Sequence, residues 1–327
     1  MARYIAGRLV ETVVALLIMS FLIYGLIGLM PGDPIDIMVQ ADPNLTTADA
    51  ARLKALYGLD KPLMERYVNW LEAALQGDFG YSRVHNAPVL EVLLPRLGNS
   101  LLLMGLSFIF ALLIALPIGV YSAIRPYGAR DYAINFVALA GISIPVFWFA
   151  LMLIYLFAVE WSLLPASGMR SIGTADTGME GLLDRAKYLV LPVLALSAAS
   201  VGGFTRFVRA STMETMRHDY IRTARAKGLS ERRVVLKHGL RNAMIPVVTI
   251  IALSFGSLFS GALITETMFS YLGMGKLIYD SILGNDYNLA LVGLLFATLL
   301  TLIANLAADI CYAWLDPRIS YGGESGS

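Results

Sequence analysis

Six stretches of this chain, near residues 9–30, 100–123, 132–159, 188–205, 243–265 and 289–312, are predominantly apolar. Each is long enough to cross a hydrocarbon core of about 30 Å, which takes about 20 residues of helix. Spanning segments must satisfy their backbone hydrogen bonds internally, so the chain is constrained to an all-α polytopic membrane protein with six transmembrane helices. Composition agrees: 57% of residues are hydrophobic and 15% charged, against about 25% charged in an average soluble domain. The first stretch outruns the roughly 7–15 apolar residues of a signal peptide. Pro31-Gly32-Asp33-Pro34 follows it instead of a small-residue cleavage site. It reads as a retained span.

Several chemistries are excluded early. A net charge of +1 argues against a nucleic-acid partner. The single Cys311 allows no disulfide framework, and His85, His218 and His238 lack ligand spacing, so no metal site is expected. Gly275-Lys276 is followed by Leu277, so no phosphate-gripping loop is present. Neither a nucleophile elbow nor a His-Glu-x-x-His pair occurs. The chain is expected to be no enzyme and to bind no cofactor of its own.

Lys and Arg set the orientation. Arg3 and Arg8 precede the first span, Arg125 and Arg130 lie between the second and third, and residues 206–242 carry ten bases (Arg206, Arg209, Arg217, Arg222, Arg225, Lys227, Arg232, Arg233, Lys237, Arg241) against Glu214, Asp219 and Glu231. These segments are predicted to be cytoplasmic, with both termini inside. The connections 160–187 and 266–288, the latter with Lys276 against Glu266, Asp280 and Asp286, are predicted to be external.

The organisation follows: residues 1–30 form the first transmembrane helix, and 31–99 a small helical external subdomain with helices predicted near 48–56 and 64–75. Residues 100–317 form a transmembrane domain of helices 2–6 containing the loop 206–242, and 318–327 a tail. Gly141, Ser143 and Pro145 predict a kink in the third span. Asn305 and Asp309 form a polar pair in the last, favouring a structural bond to a neighbouring helix.

The basic loop reads in two ways. As a topology signal or lipid patch, each Lys or Arg near the membrane is worth about 1 kcal/mol. Its internal order favours a docking element: Asp219, Arg222, Thr223, Ala224, Arg225, Ala226 and Lys227 suit a short helix, Gly228 its C-terminal cap, and Leu229, Ser230 and Glu231 the start of the next. Val234, Val235, Leu236 and Leu240 follow at helical spacing. They lead through His238, Arg241, Asn242 and Pro246 into the fifth span as a lever.

Small residues crowd the fourth and fifth spans. Pairs such as Ala198/Gly202, Ala199/Gly203 and Ser257/Gly261 permit close helix packing. The alternative is that Ser197, Ser200, Gly203, Ser254, Ser257 and Ser260 face a water-filled translocation path. The two readings are compatible at different depths.

Ala224, Gly228 and the run Lys237-His238-Gly239-Leu240-Arg241-Asn242-Ala243-Met244-Ile245-Pro246 resemble the cytoplasmic loop of permease subunits of bacterial ATP-binding-cassette importers, in the dipeptide, oligopeptide and nickel branch. Arg222-Thr223-Ala224 stands where other branches have Glu-Ala-Ala. Further similarity runs in order along the chain: Pro31-Gly32-Asp33-Pro34, Tyr57-Gly58-Leu59-Asp60-Lys61-Pro62, Gly77-Asp78-Phe79-Gly80, Ser143-Ile144-Pro145 and Asp316-Pro317-Arg318. The resemblance implies a type I ABC importer permease fold in a bacterial inner membrane. It implies as partners a second homologous permease subunit, two ATPase subunits carrying ATP and Mg, an external solute-binding protein and the lipid bilayer. Peptides are its commonest substrates, while nickel, glutathione and some glycosides or opines use similar permeases. A self-contained ion-coupled transporter and a lipid-binding scaffold are the competing classes. The first would call for central titratable residues or internal repeats.

Overall fold

The computed structural model describes residues 2–29, 52, 60–174, 177–257 and 262–315. The side chains of 2–5, 252, 253, 255–257, 309 and 311–315 are not among those described. The predicted helix near 48–56 apart from residue 52, Pro31–Pro34, Ser260, Asp316-Pro317-Arg318 and the tail therefore lie outside the described residues, as do the side chains of Ser257, Asp309 and Cys311.

In chain order the elements are α1 (Ala2–Gly28), α2 (Leu63–Leu75), a hairpin of β1 (Tyr81–Ser82) and β2 (Ala87–Pro88), α3 (Val89–Ile124), α4 (Ala129–Ser143) and α5 (Val146–Leu153), which widens into a π-helical segment Ile154–Glu160. Then come α6 (Gly178–Thr215), α7 (Asp219–Ala226), α8 (Glu231–Arg233), a second π-helical segment Val234–Gly239, α9 (Leu240–Ser257), α10 (Leu263–Met268), α11 (Met274–Leu283) and α12 (Tyr287–Leu315). Among the described residues, five helices are long and apolar enough to cross a membrane, or six if the bent pair α4 and α5 is one span.

Helices outrun the apolar runs that announce them. α3 starts at Val89, not near residue 100, and α6 covers 38 residues, or about 57 Å. The extra turns hold Glu91 and Arg96 in α3, and Glu180, Asp184, Arg185, Arg206, Arg209 and Glu214 in α6. Charge ends a lipid-facing surface but does not end a helix. Conversely, the fifth apolar stretch does not continue as one helix to residue 265, because Ala262 is not helical, at φ −108°, ψ 38°, and α10 begins after it.

The chain divides into two compact units. In the first, residues 1–99 with 273–303, the core gathers Val89, Leu93, Met274, Leu277, Leu289 and Val292. The amphipathic α2 lies on α1 through Tyr67, whose hydroxyl meets the Ser20 hydroxyl at 2.7 Å. The hairpin is fastened by Asp286, whose carboxylate accepts from the Ser82 hydroxyl at 2.5 Å and the Val84 amide at 3.1 Å.

In the second unit, residues 100–272 with 304–327, α6 packs against α4, α5 and α9. Between α4 and α5 the axis turns by 106°. Pro145 disfavours helix at the residue before it, and Ile144 is extended at φ −78°, ψ 126°. The sequence predicts a kink here, and the structure has a full break. At one end of this unit Glu266 is 0% exposed and accepts from the Ser100 hydroxyl. The same end holds Tyr271, whose phenol burial pushes up to about 12, with the Glu266 carboxylate adding to the shift. The sequence places Glu266 only at the start of an external connection; the structure buries it in α10. About 33 Å along α3, at Ser122, lies the other end.

Candidate coupling element and lining helices

The loop after α6 begins with a three-residue turn. His218 precedes α7, its carbonyl accepting from the Ile221 amide at 3.0 Å, and its ring stacks on Tyr220. α7 has two faces because only Ile221 and Ala224 are apolar and inward. They form a cluster with Val234, against which Met216 and Leu229 pack. Asp219, Arg222, Thr223, Arg225, Ala226 and Lys227 are exposed on the other side.

The end of α7 is set by backbone geometry. The Gly228 amide donates to the Arg225 carbonyl at 2.9 Å and the Leu229 amide to the Ala224 carbonyl at 3.4 Å. These are the paired bonds of a Schellman cap, with Leu229 over Ala224 as its apolar contact. Gly228 has φ +74°, and a Cβ added there meets nothing within 4 Å. The glycine is required by conformation and leaves an open surface above it. Arg225 then grips Glu231 across the turn with two bonds, 3.2 Å and 2.6 Å, which hold its guanidinium above the usual range.

Beyond the turn, Val234, Val235 and Gly239 are buried, while Leu236 and Lys237 face outward. Gly239 sits so close to Met216 that a Cβ would lie 2.7 Å from its sulfur. The Ser211 hydroxyl donates to the Ala243 carbonyl at 2.8 Å. These contacts fasten α6 to α9 on either side of the loop. Among the predicted lever residues, His238 and Leu240 are half-buried, Arg241, Asn242 and Pro246 are exposed, and Pro246 removes a backbone donor inside α9.

Asp131 was missed in the sequence. It is 2% exposed, in the first turn of α4, and Arg209 of α6 binds it with both fork nitrogens at 2.7 Å. The Ser122 hydroxyl, the Tyr127 amide at 2.8 Å and Asn135 Nδ2 at 2.8 Å also donate to the carboxylate. Five donors converge on one acid. The only hint in the sequence is an Asp among the arginines of a short connection.

α6 uses opposite faces for packing and for lining. Towards α4, a Cβ at Gly202 would stand 2.3 Å from the Ala138 carbonyl oxygen, and one at Gly141 would stand 3.0 Å from that of Ala198. On its other side, Ala199, Ser200, Gly203, Phe204 and Phe207 line a concavity of about 440 Å³ with Phe108, Ile250 and Ser254. Three predicted path residues, Ser200, Gly203 and Ser254, therefore meet. Ser197 does not join them: it is buried, and its hydroxyl donates to the Leu194 carbonyl at 3.2 Å. Three residues before Ser200, it lies about 60° round the helix axis, where it is covered by protein.

The family called binding-protein-dependent transport system inner membrane component matches residues 115–321, and the N-terminal part of such components matches residues 1–104. The chain belongs to this family. An oligopeptide transport system permease protein of Bacillus subtilis is 41% identical over 98% of this chain and 100% of its own length. A dipeptide transport system permease protein of Escherichia coli K12 is 35% identical over 98% and 99%. The inward-facing MetNI methionine ABC transporter shares the fold, with a TM-score of 0.52 and 17% identity over 69% of this chain and 97% of its own. As an inner-membrane component of such a system, this multi-pass protein works in a transport complex with an ATPase and a binding protein. The exposed face of α7 and the concavity beside α6 are its two candidate working surfaces.

Proposed function

We propose that this chain is one of two homologous permease subunits of an ATP-driven importer that carries dipeptides or oligopeptides delivered by an external solute-binding protein. Two ATPase subunits, holding the ATP and Mg, dock on α7 and the turn at Gly228. The peptide class rests on the names of the oligopeptide and dipeptide relatives. This chain is the transport component and not an enzyme. The loop and both termini are assigned to the cytoplasm. The meeting of Asp131, beside Arg125 and Arg130, with Arg209 supports a common side for the two basic segments. Cysteine labelling, with Cys311 replaced, should reach position 85 from outside and position 232 from inside.

The observation that carries the docking reading is the capped helix α7, buried on one side and charged and open on the other. Replacing Gly228 with Val strains the left-handed backbone by about 1–3 kcal/mol. It also pushes methyl groups outward, since nothing among the described residues lies within 4 Å of a Cβ there. Insertion should survive, while the ATPase subunits should no longer co-purify and binding-protein-stimulated ATP hydrolysis should vanish. Full recovery of both would return the basic loop to a topology signal.

A further inference from the structure

Movement at α7 can reach the transport path through α9, which follows the loop, or through α6, which precedes it. Resting on the docking proposed above, we propose that the Asp131–Arg209 ion pair is the latch that carries this motion from α6 to α4, making Asp131 and Arg209 positioning residues for coupling. α4 and α6 run antiparallel and touch at a steady register: Asp131 with Arg209, Ala138 with Gly202, and Gly141 with Ala198. The last two contacts are smooth approaches of small residues against backbone, which give closeness but little resistance to sliding or rotation. The first is directional. A guanidinium fork on a carboxylate fixes both distance and angle, which a lysine point charge does not.

Position supports the role. Arg209 lies six residues, about 9 Å, before the end of α6 from which α7 hangs. The other donors to Asp131 come from Ser122 at the end of α3, from Tyr127 in the turn and from Asn135 on α4. One carboxylate thus ties three helices just above the docking loop. Beyond α4 the chain passes through the 106° break into α5, where Ala150 and Leu153 pack on Leu191 and Ala195 of α6. A latch at one end and a packed cluster towards the other make α4, α5 and α6 move together. With five donors on a buried acid, the latch is a standing link that stays closed through the cycle.

The test uses the complete complex in proteoliposomes with its binding protein and a dipeptide, reading substrate taken up per ATP hydrolysed. Asp131→Asn combined with Arg209→Gln removes both buried charges together. Recovery of the ATPase subunits and ATP hydrolysis should stay within twofold, while uptake per ATP falls tenfold or more. A merely structural role would lower the yield and both activities in parallel and leave the ratio unchanged. In a Cys311→Ser background, Asp131→Cys with Arg209→Cys, bridged by a bifunctional thiol reagent, should restore the ratio to within threefold of wild type and lose it on cleavage of the bridge. If the neutral double variant does not insert, the bridged protein before and after cleavage decides the matter. An unchanged ratio in the double variant, or no restoration on bridging, overturns the latch. Gly228→Val in the same preparations separates the two readings: if it keeps its ATPase subunits the docking assignment falls, and if it loses them while the latch variants couple normally only the latch falls.

Discussion

Gly202 and Gly203 are neighbours in α6 and chemically identical, yet they stand on opposite sides of its function. At Gly202 a Cβ would sit 2.3 Å from a backbone carbonyl oxygen of α4, whereas at Gly203 nothing among the described residues lies within 4 Å and the position opens onto the concavity. In lipid, helices gain no hydrophobic drive towards each other, so the packed face needs small residues to bring backbones together. On the open face the same smallness keeps room for a solute. A stripe of small residues therefore has no single meaning; rotation about the helix axis decides it.

The strongest way to break this comparison is Gly202→Val. Neither the Ala138 carbonyl nor the backbone of α4 can step aside, so the helices must separate along their length. Overpacking of this kind costs about 1–3 kcal/mol or more. The thermal midpoint of the purified protein should drop, and little of it should insert. Gly141→Ala is the milder version, because its Cβ would lie 3.0 Å from the Ala198 carbonyl oxygen and the neighbour must give by only a few tenths of an ångström. About 1 kcal/mol of destabilisation is expected, read as a smaller fall in the same midpoint. Gly203→Ala should change sign. With no clash and a better helix former, it should stabilise by about 0.5–1 kcal/mol. A fall comparable to that at Gly202 would show that both faces are packed.

How much of this was legible beforehand differs by region. The spans, the α7–Gly228 turn and the break at Pro145 are written in local patterns: apolar length, a helix followed by glycine, and a proline that excludes helix just before it. Long-range pairings leave no such trace. Asp131 and Arg209 are 78 residues apart, and each looks like ordinary charge at the end of a span. Glu266 reads as a loop acid until α10 buries it beside Ser100. Likewise Ser197 and Ser200 are indistinguishable by type, and only the packing around α6 covers one and leaves the other on the concavity. What neighbours decide, a run of residues cannot announce.

The smallest expected effect belongs to Ser200, and it sharpens the comparison from the open side. Its hydroxyl makes no hydrogen bond among the described residues, and it lines the concavity beside Gly203. Ser200→Ala removes one polar group and adds no bulk, so the thermal midpoint should not move beyond about 0.5 kcal/mol of equivalent stability. A single weak contact to a passing solute contributes about 0.5–1.5 kcal/mol, so the substrate concentration for half-maximal uptake should rise by no more than about tenfold. Ser200→Phe is the informative companion, since a ring there fills the concavity without approaching α4. It should leave subunit recovery intact and stop uptake. Normal uptake by the Phe variant would mean that solute passes elsewhere, and the open face of α6 would have to be reassigned to contact with a partner subunit.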